Sequence, residues 1–273
     1  GAAHGPVSGL IVGPDGALYG TSEHSGANAR GTAYRLELVD GAWTFRKLYS
    51  FAPAPGEPAD PASSLIFGAD GTLYGTSILG GGSNGTVYQL EPATKKSKPW
   101  VVATLYAFGQ IPQTSTTDGK YPNGELVADA NGNLYGTTSQ GGSAACGCGT
   151  VVEVSPPTGG ATAWTETVLY SFTGQADGAR PLGGLVFDAA GNLYGTTSTG
   201  GQSSAAPWGT VFELSPPTSG GTTWTETTLY AFTDGDDGAD PGAELAIDAA
   251  GNLYGTTSQG GAGNGGTVFE LTP

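Results

Sequence analysis

The sequence predicts an all-β fold: a five-bladed β-propeller of four-stranded antiparallel blades, the last blade lacking its own outer strand. One observation behind it is a tetrapeptide, Leu-Tyr-Gly-Thr, that recurs five times. Its tyrosine falls at Tyr19, Tyr74, Tyr135, Tyr194 and Tyr254, at spacings of 55, 61, 59 and 60 residues, which marks one supersecondary unit written in tandem. Another is that short apolar pieces rich in Val, Tyr, Phe and Thr lie between clusters of Gly, Pro, Asn and Asp, as strands do between turns. Finally, no stretch carries a helical period. A parallel β-helix is the main rival, but its coils normally repeat over roughly 20 to 30 residues and need no hairpin turn at the start of each.

The elements follow in order within each copy. A first strand and a second meet at Pro14-Asp15-Gly16, Ala69-Asp70-Gly71, Ala130-Asn131-Gly132, Ala190-Gly191-Asn192 and Ala250-Gly251-Asn252, whose glycines and asparagines supply the positive φ of a tight hairpin. The second strand carries the tetrapeptide, which reads as the seam that lets blades pack closely. A third strand occupies 31–36, 85–90, 149–154, 209–214 and 266–271. A fourth begins at Trp43, Trp100, Trp164 or Trp224 and ends at Phe51, Phe108, Phe172 or Phe232. The repeats therefore run approximately over 1–51, 52–108, 109–172, 173–232 and 233–273, forming one propeller domain over 1–273.

Composition is consistent with that array. The 49 glycines and 18 prolines fall in register between strands, so they are turn chemistry and not low complexity. A net charge of −15 with nine Lys and Arg opposes an electrostatic grip on phosphate backbones, so neither nucleic acid nor an anionic membrane surface is an expected partner. No apolar run is long enough for membrane insertion as a helix. The absence of methionine, few charges and an acidic balance point to a secreted or cell-surface chain whose leader has been removed.

In copies three to five, Asp-x-x-Gly-Asn-Leu-Tyr-Gly-Thr-Thr-Ser-x-Gly-Gly, then Gly-Thr-Val-Phe-Glu-Leu-Ser/Thr-Pro and Leu-Tyr-Ser-Phe, resembles the tandem GloVer repeat of bacterial exported proteins. Copies one and two depart from it: Gly13 and Gly68 stand where Asp129, Asp188 and Asp248 stand, and Pro-Asp-Gly and Ala-Asp-Gly replace the Gly-Asn turn. The resemblance implies export, often with a separate surface anchor, and a propeller-like array. It supplies no catalytic residues to carry over.

Candidate chemistry is sparse. The histidines, His4 and His24, lie in one copy, and no HExxH, zinc spacing, GxSxG or phosphate-cradling loop occurs. Glu125 and Glu244, before the first strands of copies three and five, are the weak catalytic candidates for glycoside cleavage, which needs a pair of carboxylates. Asp129, Asp188 and Asp248 are expected to bond turn N–H groups instead. Asp234, Asp236, Asp237 and Asp240 make calcium the one candidate cofactor, although the EF-hand spacing is unmatched and a solvated acidic loop is the simpler reading. The four strand-leading tryptophans serve either as sugar-stacking platforms or as seam filler. Trp208 occurs in copy four alone and is the better binding candidate. Cys146-Gly147-Cys148 is expected to close a local disulfide, with a redox-active pair or an intermolecular bridge as alternatives. Asn84-Gly-Thr86 is a sequon that matters only in a glycosylating host.

The last expectation concerns the fifth copy. Four copies carry an outer strand and the fifth has none after residue 271, while Gly1 to Val7 is too short and glycine-rich to replace it. The edge formed by Gly266, Thr267, Val268, Phe269, Glu270 and Leu271 is then open to a strand from a protein partner or another protomer, giving a homo-oligomer or filament by β-augmentation. The simpler alternatives are a three-stranded last blade, or an outer strand that the natural chain carries outside this sequence. The expected role is an exported structural or binding module, not an enzyme. A glycan-binding, lectin-like propeller comes next and a glycoside hydrolase third.

Overall fold

The computed structural model describes residues 8–52, 54, 56–92, 100–109, 118–143, 145–201, 207–218 and 221–272. Among them there is no helix, and hence none long and apolar enough to cross a membrane. The protein is a five-bladed propeller of small antiparallel sheets. Blade one orders β1 (Ile11–Val12), β2 (Leu18–Ser22), β3 (Thr32–Val39) and β4 (Ala42–Ser50) in sequence. Blade two contains β5 (Pro58–Pro61), β6 (Ile66–Phe67), β7 (Leu73–Gly80), β8 (Thr86–Glu91) and β9 (Val101–Ala107), in the order β5-β7-β8-β9 with β6 also on β7. Blade three repeats this with β10 (Gly119–Pro122), β11 (Val127–Ala128), β12 (Leu134–Gly141), β13 (Thr150–Ser155) and β14 (Thr165–Ser171). Blade four is β15 (Val186–Phe187), β16 (Leu193–Thr197), β17 (Thr210–Ser215) and β18 (Thr225–Ala231). Blade five has three strands, β19 (Ala246–Ile247), β20 (Leu253–Thr256) and β21 (Val268–Leu271).

Two blades exceed the four expected strands. There the second strand runs on past the tetrapeptide, to Gly80 and Gly141, and the extra length pairs with the segment entering the blade, as β5 and β10. In blades four and five that pairing shrinks to the single bridges Ala179↔Thr199 and Ala239↔Gln259. These entering segments contain proline and no apolar alternation, so nothing in their sequence signals a strand. Packing divides the chain into two compact units, 1–113 with 120–134 and 154–166, and 114–119 with 135–153 and 167–273. In the first, Tyr19, Leu48, Phe51, Leu65, Leu73, Tyr88 and Leu90 form a buried cluster. In the second, Val211, Phe232, Leu245 and Leu253 do so.

Each residue of the tetrapeptide has a separate task. Its leucine is core, with Leu73, Leu134, Leu193 and Leu253 at 0 to 3% exposure. Its tyrosine faces the next blade: Tyr19 meets Trp100 at 6.5 Å, Tyr74 meets Trp164 at 6.3 Å and Tyr135 meets Trp224 at 6.4 Å. Its glycine lies opposite an aromatic residue on the third strand, Gly20 on Tyr34, Gly75 on Tyr88, Gly195 on Phe212 and Gly255 on Phe269. Its threonine donates to a main-chain carbonyl of the following blade, Thr21 to Ser63 at 3.0 Å, Thr76 to Gly124 at 3.3 Å, Thr137 to Gly183 at 2.9 Å and Thr196 to Ala243 at 3.4 Å.

A second device closes the same seams. Asp60, Tyr121, Arg180 and Asp240 each precede a proline and each hold φ between 54° and 57°. Left-handed backbone at a non-glycine residue costs roughly 1–2 kcal/mol. What offsets it is a hydrogen bond from each of these N–H groups to the carbonyl of Arg30, Asn84, Cys148 or Trp208 in the preceding blade, at 3.0, 2.8, 2.7 and 2.9 Å. The following proline then packs on the glycine after that carbonyl. At Gly149, φ +101°, an added Cβ would lie 2.7 Å from Pro181 Cδ, so no larger residue fits beneath the ring.

Candidate functional site

The features that repeat at internal seams are exposed on blade five. Val268 is 82% exposed, whereas Ala33, Val87, Val151 and Val211 in the same register are at 0 to 1%. Thr256 is exposed, whereas Thr21, Thr76, Thr137 and Thr196 are at 0 to 1%. Phe269 and Leu271 are half-buried where Phe212 and Leu214 are at 0%. A cleft of about 300 Å³ runs along β21 and is lined by Tyr230, Phe232, Asp237, Val268, Phe269 and Leu271. A second, of about 270 Å³, lies between Tyr194, Leu229, Leu253 and Leu271. In the preceding seams a tryptophan from the next outer strand covers the tyrosine equivalent to Tyr194. Both clefts adjoin β21 and carry acidic groups beside the apolar ones, Asp236 and Glu270 in the first and Glu213 in the second. Along the edge from Gly266 and Thr267 to Leu271, no strand among the described residues pairs with β21 on the side away from β20.

The other candidate residues lie elsewhere on the blades. Asp237 Oδ2 accepts from the Tyr230 hydroxyl at 3.0 Å and Thr233 N–H at 2.9 Å, and Oδ1 from Thr233 Oγ1 at 2.7 Å and Gly235 N–H at 3.1 Å. Burial works against its charge, yet these donors hold its carboxyl below the usual range. Asp177 makes the same set in blade four, with Tyr170, Thr173 and Gln175. Asp240 accepts from Ser258 Oγ at 2.9 Å, and Asp234 and Asp236 are exposed. Among the described residues no three His, Cys, Asp or Glu side chains gather as metal ligands.

Glu125 is half-buried and belongs to the first unit, while Glu244 is exposed and belongs to the second. Asp129, Asp188 and Asp248 cap their hairpins: Asp188 accepts from the N–H groups of Ala190 and Asn192 and from Asn192 Nδ2, all at 2.8 Å. In copies one and two the carboxylate moves two residues on, where Asp15 and Asp70 accept from Ala17 and Thr72 N–H at 3.1 and 3.0 Å. Glycine stands at position 13 because an added Cβ would lie 2.8 Å from Asp15 Oδ1 and closer still to the Tyr19 ring.

Trp100, Trp164 and Trp224 are seam residues, whereas Trp43 is 55% exposed. Trp208 packs on the Val211–Phe232 cluster, and its carbonyl receives Asp240 N–H. Its position is thus the repeated seam carbonyl held elsewhere by Arg30, Asn84 and Cys148. The sequence signal available for it is the place immediately before Gly-Thr, where side chains vary because only the backbone is used. Cys146 and Cys148 are joined by a disulfide. His24 is exposed beside Glu23, and His4 lies outside the described residues.

Among solved structures, the gluconolactonase of Xanthomonas campestris is 16% identical, with a TM-score of 0.53 over 97% of this chain and 71% of that one. A Dyadobacter fermentans protein of unknown function is 14% identical, with a TM-score of 0.54 over 98% and 79%. PorZ, a surface component of the type-IX secretion system of Porphyromonas gingivalis, is 15% identical, with a TM-score of 0.50 over 94% of this chain and 31% of that one. At such identities the likeness extends to the fold alone. No curated protein sequence matches the chain. The family model described as the Gloeobacter/Verrucomicrobia repeat matches it twice in tandem, over residues 1–164 and 145–273. With both matches together spanning every repeat, the chain belongs to the Gloeobacter/Verrucomicrobia repeat family.

Proposed function

We propose that this protein is an exported structural or binding module that takes up a β-strand from a protein partner, another copy of itself included, at the open edge of β21. The observation that carries this is that β21 pairs with β20 alone among the described strands, whereas β3, β8, β13 and β17 each carry an outer strand on the other side. An edge of this kind offers main-chain donors and acceptors next to apolar clefts, the combination that strand addition uses. The four complete blades define what fits: a strand led by tryptophan and closed by Leu-Tyr-x-Phe. Burying its large side chains would contribute roughly 1.5–3 kcal/mol each. Export is supported by the family and by the low charge and methionine-free composition.

A labelled peptide with the sequence of residues 224–232, the outer strand of blade four, tests the reading by fluorescence anisotropy. Saturable binding that a scrambled peptide does not reproduce is expected; no binding to the folded protein would sink it. Glycan binding is the second reading, favoured by Trp43 and Phe45, two apart on β4 and 55% and 40% exposed. Quenching of tryptophan fluorescence by simple sugars, lost in Trp43→Ala, would support it.

A further inference from the structure

Copy three carries the two cysteines of the chain, Cys146 and Cys148, joined across one intervening residue in the loop between β12 and β13. The backbone of that loop is held by other means. Gly149 N–H donates to the Gly141 carbonyl at 3.1 Å, Gly141 N–H to the Gly147 carbonyl at 3.2 Å and Arg180 N–H to the Cys148 carbonyl at 2.7 Å. The first and last of these bonds recur in copies that have no cysteine. Gly31 N–H donates to Ser25 and Gly209 N–H to Gly200, both at 2.9 Å, and the carbonyls of Arg30 and Trp208 receive the seam N–H groups. The loop therefore takes its shape without an S–S bond. Chain entropy gives the bond little structural value either, since that contribution is smallest for the shortest closed loops. The two sulfurs also differ in their surroundings. Cys146 is exposed and Cys148 half-buried, and a Cβ added at Gly174 would lie 2.6 Å from Cys148 Sγ but 3.5 Å from Cys146 Sγ. An approaching thiolate reaches Cys146 first. Cys146 Sγ lies 3.3 Å from the Thr173 carbonyl, where a Cys146 thiol would donate a hydrogen bond. The disulfide has no proton to offer that acceptor, so it favours the reduced form, and a stabilised dithiol makes its disulfide the stronger oxidant.

We propose that the Cys146/Cys148 disulfide is a thiol–disulfide exchange site that oxidises a pair of cysteine thiols in a polypeptide substrate, with Cys146 Sγ as the atom attacked. A substrate thiolate bonds to Cys146 Sγ, the bond between the two cysteines breaks, and its electron pair leaves on Cys148 Sγ. The result is a mixed disulfide on Cys146. The second thiolate of the substrate then attacks the substrate sulfur of that mixed disulfide and releases Cys146. The substrate leaves as a disulfide, two electrons poorer, and the two protons lost by its thiols are taken up by the cysteines through solvent. Because the backbone hydrogen bonds hold the loop independently of the S–S bond, the two thiols stay adjacent. A low-molecular-weight disulfide can then close them again by the reverse exchange. This activity is independent of strand addition at β21.

The test mixes the oxidised full chain, which has no free thiol to label at the start, with an equimolar synthetic peptide bearing a reduced Cys-x-x-Cys pair. Samples are quenched with a maleimide and their intact masses measured. Peptide disulfide should form in step with maleimide labelling of both cysteines of the protein, while the circular dichroism spectrum stays unchanged. The double variant Cys146→Ser/Cys148→Ser should leave the peptide reduced, which separates exchange from oxidation by air. The attacked atom is read from the single variants, each reduced and mixed with the oxidised peptide. Cys148→Ser, which keeps the accessible sulfur, should accumulate the mixed disulfide at least about tenfold faster than Cys146→Ser. A protein disulfide that persists beside reduced peptide overturns the proposal, as does one that opens only with loss of the native spectrum. Equal trapping by the two single variants overturns the assignment of Cys146 as the atom attacked.

Discussion

Gly195 shows how much of the repeat is steric. Its register partner is Phe212, and a Cβ at 195 would lie 2.7 Å from Phe212 Cζ and 3.0 Å from Leu185 Cδ2, with Phe212 and Leu185 both fully buried. The ring has nowhere to go, so Gly195→Ala overpacks the blade. Equilibrium denaturation should show a loss of about 1–3 kcal/mol, a larger effect than an alanine normally has in a strand. The turn aspartates teach the complementary lesson. Asp188 in copy four and Asp15 in copy one sit at different sequence positions yet cap the same hairpin, because what the turn requires is an oxygen in reach of its N–H groups, not a fixed place in the motif.

At the scale of elements, the outer strands are worth different amounts according to what lies against them. Trp224 stacks on Tyr135 and is half-buried at the head of β18, while Trp43 has the same place on β4 and is 55% exposed. In dilute solution Trp224→Ala should therefore destabilise by about 2–3 kcal/mol, and Trp43→Ala by less than about 0.5 kcal/mol. Thermal or urea denaturation of the two variants side by side checks this; equal losses would mean that Trp43 is covered in the isolated chain. The X-Pro clips explain a feature that resembles strain without function. Four left-handed non-glycine residues recur because each delivers an N–H to the neighbouring blade.

For the whole molecule, the same hydrogen bonds set the pH range of stability. Desolvation is the largest influence on Asp15, Asp129, Asp188 and Asp237 and opposes their charge, yet hydrogen bonds from turn donors leave each carboxyl below its ordinary value. At Asp70 the bonds to Thr72 lead in the same direction. A depressed folded value means the stabilisation is complete above the unfolded carboxylate value of about 4 and is lost as pH falls through the folded one. Tyr19 and Tyr194 are pushed up to about 12, first by burial and then by neighbouring carboxylates. Their share is complete below the unfolded value of about 10 and is lost as pH rises through the folded one. The thermal midpoint should be flat between about pH 5 and 9, falling below about pH 4 and again above about pH 10. A midpoint still flat at pH 3 would contradict the assigned capping roles.

The blades, their hairpins and the short last blade are legible in the sequence, because strand periodicity and turn chemistry are local properties that every copy must state for itself. The disulfide between Cys146 and Cys148 and the capping role of Asp129, Asp188 and Asp248 are legible for the same reason. The strands β5 and β10 are not, since proline-bearing segments pair through backbone alone. Nor is the seam role of Trp208, which looks singular as a side chain and is ordinary as a carbonyl. What the sequence by itself determined is the module and its five repetitions. Only the tertiary structure decided which faces of those modules are covered, because burial depends on what the neighbouring blade brings. Val211 and Val268 are the same residue in the same motif, one at 0% and the other at 82% exposure.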